Sequence, residues 1–155
     1  MTEQQRLDLI SVYPEMFGGS EKIEFNIEPG WFEILKEAVI RIKDHDDSLN
    51  SLILQAGYVE DKRVTRILQI KENSGSIRLH ISEPSNALSG IISNLERESS
   101  RTCQNCGSKN NIGSFSYTWT KTLCSKCAKE TYLDMERRNA LRNNTDFEDI
   151  FIKRM

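Results

Sequence analysis

The sequence predicts an α+β fold: a small antiparallel sheet with packed helices, followed by a C-terminal four-cysteine zinc ribbon and a helix. Three observations predict it. Apolar residues recur at helical spacing in the segments beginning at Trp31 and at Pro84. Apolar and polar residues alternate in several short segments around them. All four cysteines fall in one frame, "CQNCGSKNNIGSFSYTWTKTLCSKC", from Cys103 to Cys127.

In chain order, residues 3–12 form a short helix with Thr2 as its cap and Leu7, Leu9 and Ile10 on its apolar side. "YPEMFGG" then punctuates the chain with Pro14 and the Gly18–Gly19 pair. "KIEFNI" alternates Ile23, Phe25 and Ile27 against Lys22, Glu24 and Asn26, the pattern of a strand. Trp31, Leu35, Ala38 and Ile42 repeat at helical spacing, widened by Ile34 and Val39, so a helix is expected from Gly30 or Trp31 to about Lys43. Asp44, Asp46 and Asp47 follow, where the helix dipole favours cations. They are expected as a solvated loop or as an acidic patch for a cationic partner. Residues 51–59 fit a strand or a short helix.

"VTRILQIKE" and "SGSIRLHIS" flank the turn "ENSG" and predict a β-hairpin. In the first arm Ile67 and Gln69 alternate with Leu68 and Ile70. In the second, Ile77, Leu79 and Ile81 alternate with Arg78 and His80, which places His80 on the surface. Pro84 is expected to open the next helix, capped by Ser82 or Glu83, with Leu88, Ile91, Ile92 and Leu95 as its stripe. That helix leads into Cys103 without a flexible linker, so the ribbon is expected to pack on the domain. After the frame, a polar helix is expected over 128–143, with Lys126, Lys129, Arg137, Arg138 and Arg142 as the one basic stretch. The tail sets Phe147, Ile150, Phe151 and Ile152 among Asp146, Glu148 and Asp149. The expected organisation is an α+β domain over 1–100, a zinc ribbon over 101–128, and a helix and tail over 129–155.

The frame reads Cys-x2-Cys, 17 residues, Cys-x2-Cys, a spacing that suits a four-thiolate metal site. Two residues between ligands let a tight turn aim both sulfurs at one ion, and Gly107 stands where such a turn needs a positive φ. "SFSYTWT" alternates Phe115, Tyr117 and Trp119 with hydroxyl residues, the pattern of a strand between the two turns. Cys103, Cys106, Cys124 and Cys127 are therefore expected to hold a structural Zn2+ ion. Two disulfides, free buried thiols or an iron–sulfur cluster are the alternatives.

The formal net charge is −2, and four thiolates around a dication would lower it by two more. Nucleic-acid binders usually carry a basic excess. No apolar run reaches the roughly 18 residues a membrane helix needs, and the opening "MTEQQRLDLISVYPEMF" lacks the basic and apolar regions of a secretory signal. A cytoplasmic location is expected. The sequence has no glycine-rich phosphate loop and no His-Glu-x-x-His, and its two histidines, His45 and His80, lie in no general acid–base cluster. An enzyme is not expected.

Four segments resemble a group of small zinc-ribbon proteins of phages, prophages and bacteria. They are Tyr13-Pro14-Glu15-Met16-Phe17, Gly30-Trp31-Phe32-Glu33-Ile34, "QIKENSGSIR" from Gln69 to Arg78, and "SSRTCQNCG" from Ser99 to Gly107. The resemblance covers nearly the whole chain up to Cys127. Here the ribbon loop is rich in Asn, Ser and Thr, and the tail after 140 has no counterpart in the pattern. The resemblance implies the fold and the metal, and no particular activity.

Two functions fit. The first is a non-enzymatic protein-binding factor, an inhibitor such as a toxin-immunity or phage counter-defence protein. Acidic patches at Asp44–Asp47, Glu60–Asp61 and Asp146–Asp149 would meet a basic toxin or nuclease. The second is a nucleic-acid-binding zinc-ribbon regulator, with Tyr117 and Trp119 stacking on bases beside Lys109, Lys121 and the basic helix. If neither applies, the two aromatics would pack the ribbon on the core.

Overall fold

The computed structural model describes residues 1–18, 23, 25–58, 62–116 and 119–142. Tyr117, the acidic pair Glu60–Asp61 and the tail after Arg142 lie outside the described residues.

Helix α1 spans Glu3–Val12, and Thr2 caps it in a reciprocal box with Gln5. Leu9 is its buried anchor, while Leu7 faces solvent. Pro14 does not end helical structure; it opens α2, Pro14–Phe17. The first turn tolerates proline because its missing N–H has no intrahelical partner there. The alternation around Phe25 condenses to a two-residue strand β1, Phe25–Asn26. A 3-10 turn, Pro29–Trp31, then feeds α3, Phe32–Gln55.

Helix α3 runs 12 residues past Lys43, because its buried stripe continues through Asp46. Leu35, Ala38, Val39, Ile42 and Asp46 all face the core, and Asp46 is only 2% exposed. The Tyr13 hydroxyl donates to its Oδ2 at 2.8 Å, the Thr65 amide to Oδ2 at 2.7 Å, and the Thr65 hydroxyl to Oδ1 at 2.8 Å. A buried acid survives where neutral donors satisfy it. The aspartates are thus neither a loop past the helix nor one patch. Asp44 and Asp47 are exposed, Asp47 pairs with Lys43, and Asp46 is internal. Residues 51–55 are helical.

The hairpin is present as β2, Ile67–Asn73, and β3, Ser76–Ile81, paired antiparallel. A register shift between Ile67 and Gln69 lets Ile67 and Ile70 both face inward and turns Leu68 and Gln69 outward. The sequence alternation had grouped Ile67 with Gln69. Strand β1 joins β2 in parallel, Phe25 opposite Ile70. Helix α3 makes the crossover that a parallel pair requires. The sheet therefore has the order β1-β2-β3 and is mixed at one edge.

Helix α4, Asn86–Ser99, starts two residues after Pro84, because Ser85 caps it by accepting from the Leu88 amide at 3.2 Å. It packs on α3 and β3. The core of these elements contains Trp31, Leu35, Val39, Ile42, Ile70, Ile77, Leu79 and Leu95. The ribbon follows as β4, Ile112–Ser116, and β5, Thr120–Cys124, paired antiparallel. Helix α5, Ser125–Arg142, begins at the end of β5. Among the described residues no helix is long and apolar enough to cross a membrane.

Candidate metal centre

Each cysteine pair sits on a different local device. Cys103 and Cys106 lie in a tight turn closed from both sides: the Gly107 amide donates to the Cys103 carbonyl and the Cys103 amide to the Ser108 carbonyl, each at 2.8 Å. Gly107 leaves that turn at φ 76°, as its position in the frame required. Cys124 ends β5, and Cys127 falls in the first turn of α5. The positive end of that helix favours negative charge beside it.

The two devices bring all four Sγ atoms within 4.8 Å of one another. Cys106 and Cys124 have their Sγ atoms 3.7 Å apart. Sulfurs about 2.3 Å from a central ion at tetrahedral corners stand about 3.8 Å apart, so the cluster has the dimensions of a one-ion tetrahedral site. All four cysteines are free, which sets the disulfide alternative aside. Cys103, Cys124 and Cys127 are buried, and Cys106 is exposed.

The electrostatics of Cys103, Cys106 and Cys127 ask for a cation. Burial pushes the Cys103 thiol up, but the amides of Cys124, Cys106 and Asn105 outweigh it and bring it down to about 7. At Cys106 the Ser108 amide draws the thiol down, yet burial and contact with Cys103 leave it raised. Burial raises Cys127 well above the ordinary thiol range, and its three sulfur neighbours add to the rise. Contact with the Cys103 sulfur thus opposes the ionisation of Cys106 and Cys127. Four thiolates this close coexist only around a positive ion, which is what a dication supplies.

A shell of buried polar groups fastens this centre to the α+β core. Gln104, 1% exposed, donates its backbone N–H to the Thr122 carbonyl at 2.9 Å, and its side-chain Oε1 accepts from the Thr122 backbone amide at 3.0 Å. It thereby holds β5, and with it Cys124, against the first turn. The Gln104 carbonyl accepts from the Gly30 amide at 2.8 Å. The Trp31 indole N–H donates to the Thr102 carbonyl at 2.8 Å, and the Thr122 hydroxyl to the Gly75 carbonyl at 2.6 Å. Ion pairs Lys121–Glu28 at 3.5 Å and Lys109–Glu98 at 3.0 Å flank the junction. The expected packing of the ribbon on the domain is present, and it rests on Gly30, Trp31, Gly75, Thr102, Gln104 and Thr122. Sequence reasoning did not single out Gln104 or Thr122 for this role. Only the Gly-Trp and Thr-Cys pairs within the resembling segments hinted at the junction.

The remaining candidate residues do not converge. Trp119, at the hairpin tip, is 73% exposed and does not pack on the core. Lys126, Lys129, Arg137 and Arg138 are exposed along α5, where Arg138 pairs with Asp134. His80 lies exposed on β3. Asp44 and Asp47 lie on α3, and Asp46 is withdrawn into the core.

The centre has the form of a zinc-ribbon-like site, a cysteine turn and a strand-to-helix cysteine pair joined by a β-hairpin, set on an α+β domain. No family model, no curated protein and no solved structure matches the chain.

Proposed function

We propose that this chain is a non-enzymatic protein-binding factor stapled by a structural zinc ion, an inhibitor of the toxin-immunity or phage counter-defence kind. The observation that carries the reading is the closed shell of four cysteines. A catalytic zinc keeps one position open for water or substrate, and four thiolates leave none. The bond network from Gln104, Gly30 and Trp31 gives the ion a mechanical task, because ordering the ribbon also orders the start of α3. Zinc fits an all-thiolate tetrahedral site. A four-iron cube is disfavoured, because it interposes iron and sulfide between its thiolates and spreads them wider. The net negative charge supports the inhibitor reading, because it speeds the capture of a basic target.

One observation favours a second reading. The exposure of Trp119, together with the exposed cations along α5, suits stacking on single-stranded nucleic acid. The test that separates the two is affinity capture with the zinc-loaded full chain, with and without nuclease. A stoichiometric protein that survives nuclease supports the inhibitor reading. Recovery of nucleic acid, with co-purifying proteins lost on nuclease treatment, supports the regulator.

A further inference from the structure

A cleft of about 290 Å³ lies where the middle of α3, the segment entering β2 and the start of α4 meet. None of its lining residues belongs to the metal centre. His45, Lys62, Arg63, Arg66, Ser82 and Ser85 line it, above the buried Asp46.

The chemistry of this lining is one-sided. His45 Nε2 is buried and has no hydrogen-bond partner, and such a group calls for an explanation. The bonds of Lys62, Arg66, Ser82 and Ser85 all go elsewhere, and a protonated Nε2 needs an acceptor, which lysine and arginine side chains do not offer. Asp46 is the carboxylate beneath, and its oxygens already accept from Tyr13 and Thr65. Ser82 Oγ accepts from the Arg66 amide at 2.9 Å and Ser85 Oγ from the Leu88 amide, which leaves each hydroxyl hydrogen to donate elsewhere. Glu83, at φ 47°, is the other carboxylate among the described lining residues, and it is exposed at the rim. Lys62 reaches out to Glu15 at 3.0 Å and Arg66 to the Gly18 carbonyl. The Arg63 backbone is pinned to α3 by two bonds with Asn50, at 2.7 and 2.8 Å.

We propose that this cleft binds a phosphate group, with His45 Nε2 and the Arg63 guanidinium as its principal donors and Ser82 and Ser85 as hydroxyl donors. One acceptor-rich anion answers every unmet donor at once. A tetrahedral oxyanion offers acceptors in several directions, as donors arriving from three elements require, whereas those of a carboxylate lie in one plane. Lys62 and Arg66 add positive field at the rim.

The test is an NMR titration of the zinc-loaded full chain, following the His45 ring nitrogens and the backbone amides. Inorganic phosphate, free phosphoserine and acetate are added at matched ionic strength. The expected result is a saturable shift of His45 Nε2, and of amides at 63–66 and 82–88, with the two phosphates and not with acetate. Tighter binding of phosphoserine than of phosphate identifies a phosphomonoester as ligand; the reverse identifies the free anion. Arg63→Ala and His45→Gln should each weaken binding about tenfold, with unchanged near-ultraviolet circular dichroism confirming the fold. Absence of a saturable shift up to tens of millimolar overturns the site. Equal shifts with acetate, or an undiminished affinity in Arg63→Ala, overturn it as well.

Discussion

Gly30 and Gln104 approach so closely that a methyl group on the glycine would stand 2.6 Å from the Gln104 carbonyl oxygen, the same oxygen that accepts the Gly30 amide at 2.8 Å. It would stand closer still to the Cys103 carbonyl oxygen. Both obstacles are backbone, held in place by the cysteine turn, so neither can rotate aside. Gly30→Ala is therefore expected to destabilise the protein by about 1–3 kcal/mol and to weaken zinc retention with it. A chemical-denaturation midpoint and a chelator competition, run on the same variant, check this. An unchanged midpoint would show that the turn gives way freely.

The metal should act on the whole chain. Chelation, or Cys103→Ser together with Cys124→Ser, is expected to lower the melting temperature and to release one equivalent of zinc. The near-ultraviolet signal of the buried Trp31 should change at the same time, since its indole bonds to Thr102 beside the first ligand. Elemental analysis and circular dichroism on one sample decide the matter. Loss of zinc with an untouched Trp31 signal would uncouple ribbon from core.

Trp31→Ala is expected to cost about 3–5 kcal/mol, because the ring is fully buried. Trp31→Phe keeps most of the apolar area and loses the donor to Thr102, so about 1–3 kcal/mol is expected. Urea unfolding of the two variants separates area from hydrogen bond. Equal costs would mean that the indole N–H, rather than the apolar area, carries the contribution of Trp31.

The Tyr13–Asp46 bond should show itself at alkaline pH. Burial, then the hydrogen bond and charge of Asp46, hold the Tyr13 phenol above its ordinary value. A raised pKa in the folded state adds stability that is complete below the unfolded value of about 10 and fades as pH climbs beyond it. Tyr13→Phe is expected to be less stable by about 1.5–3 kcal/mol at neutral pH and to lose less stability above pH about 10 than the parent. Parallel alkaline and neutral melts check both. Identical slopes above pH about 10 would exclude Tyr13 as the titrating group.

Trp119→Ala should leave stability within about 0.5 kcal/mol of the parent, since the side chain is exposed. Its effect on capture of nucleic acid or protein then reports on function alone. Failure of this variant to fold would place the ring in a packed position.

Where the sequence was legible, a strong local pattern agreed with the tertiary demand. The cysteine spacing placed the four ligands and the first turn, though the second pair sits at the end of β5 and the start of α5; the alternation of Ile77, Leu79 and Ile81 placed β3, and Thr2 placed the start of α1. It was illegible where one residue type took the place of another. Asp46 occupies an apolar position of the α3 stripe, so a composition-based reading ended the helix near Lys43. The bulge between Ile67 and Gln69 inverted the alternation of β2. Gln104 carries no periodicity at all: a polar residue between two cysteines reads as filler until the Thr122 strand is seen beside it. The parallel partner of β1 depends on a crossover that spans the whole of α3, and short-range patterns hold no record of that.

The junction at Gly30 and Gln104 also bears on how such a chain can be cut and recombined. Here, excision after Arg101 would strand the amide of Gly30 and the indole of Trp31 without acceptors and lay open the floor under the first turn. A ribbon transplanted without its host would lose the acceptor at Gly75 for Thr122. The bonds across the junction make the two parts one piece, and a swap that respects the cysteines alone would trade a folded protein for two incomplete ones.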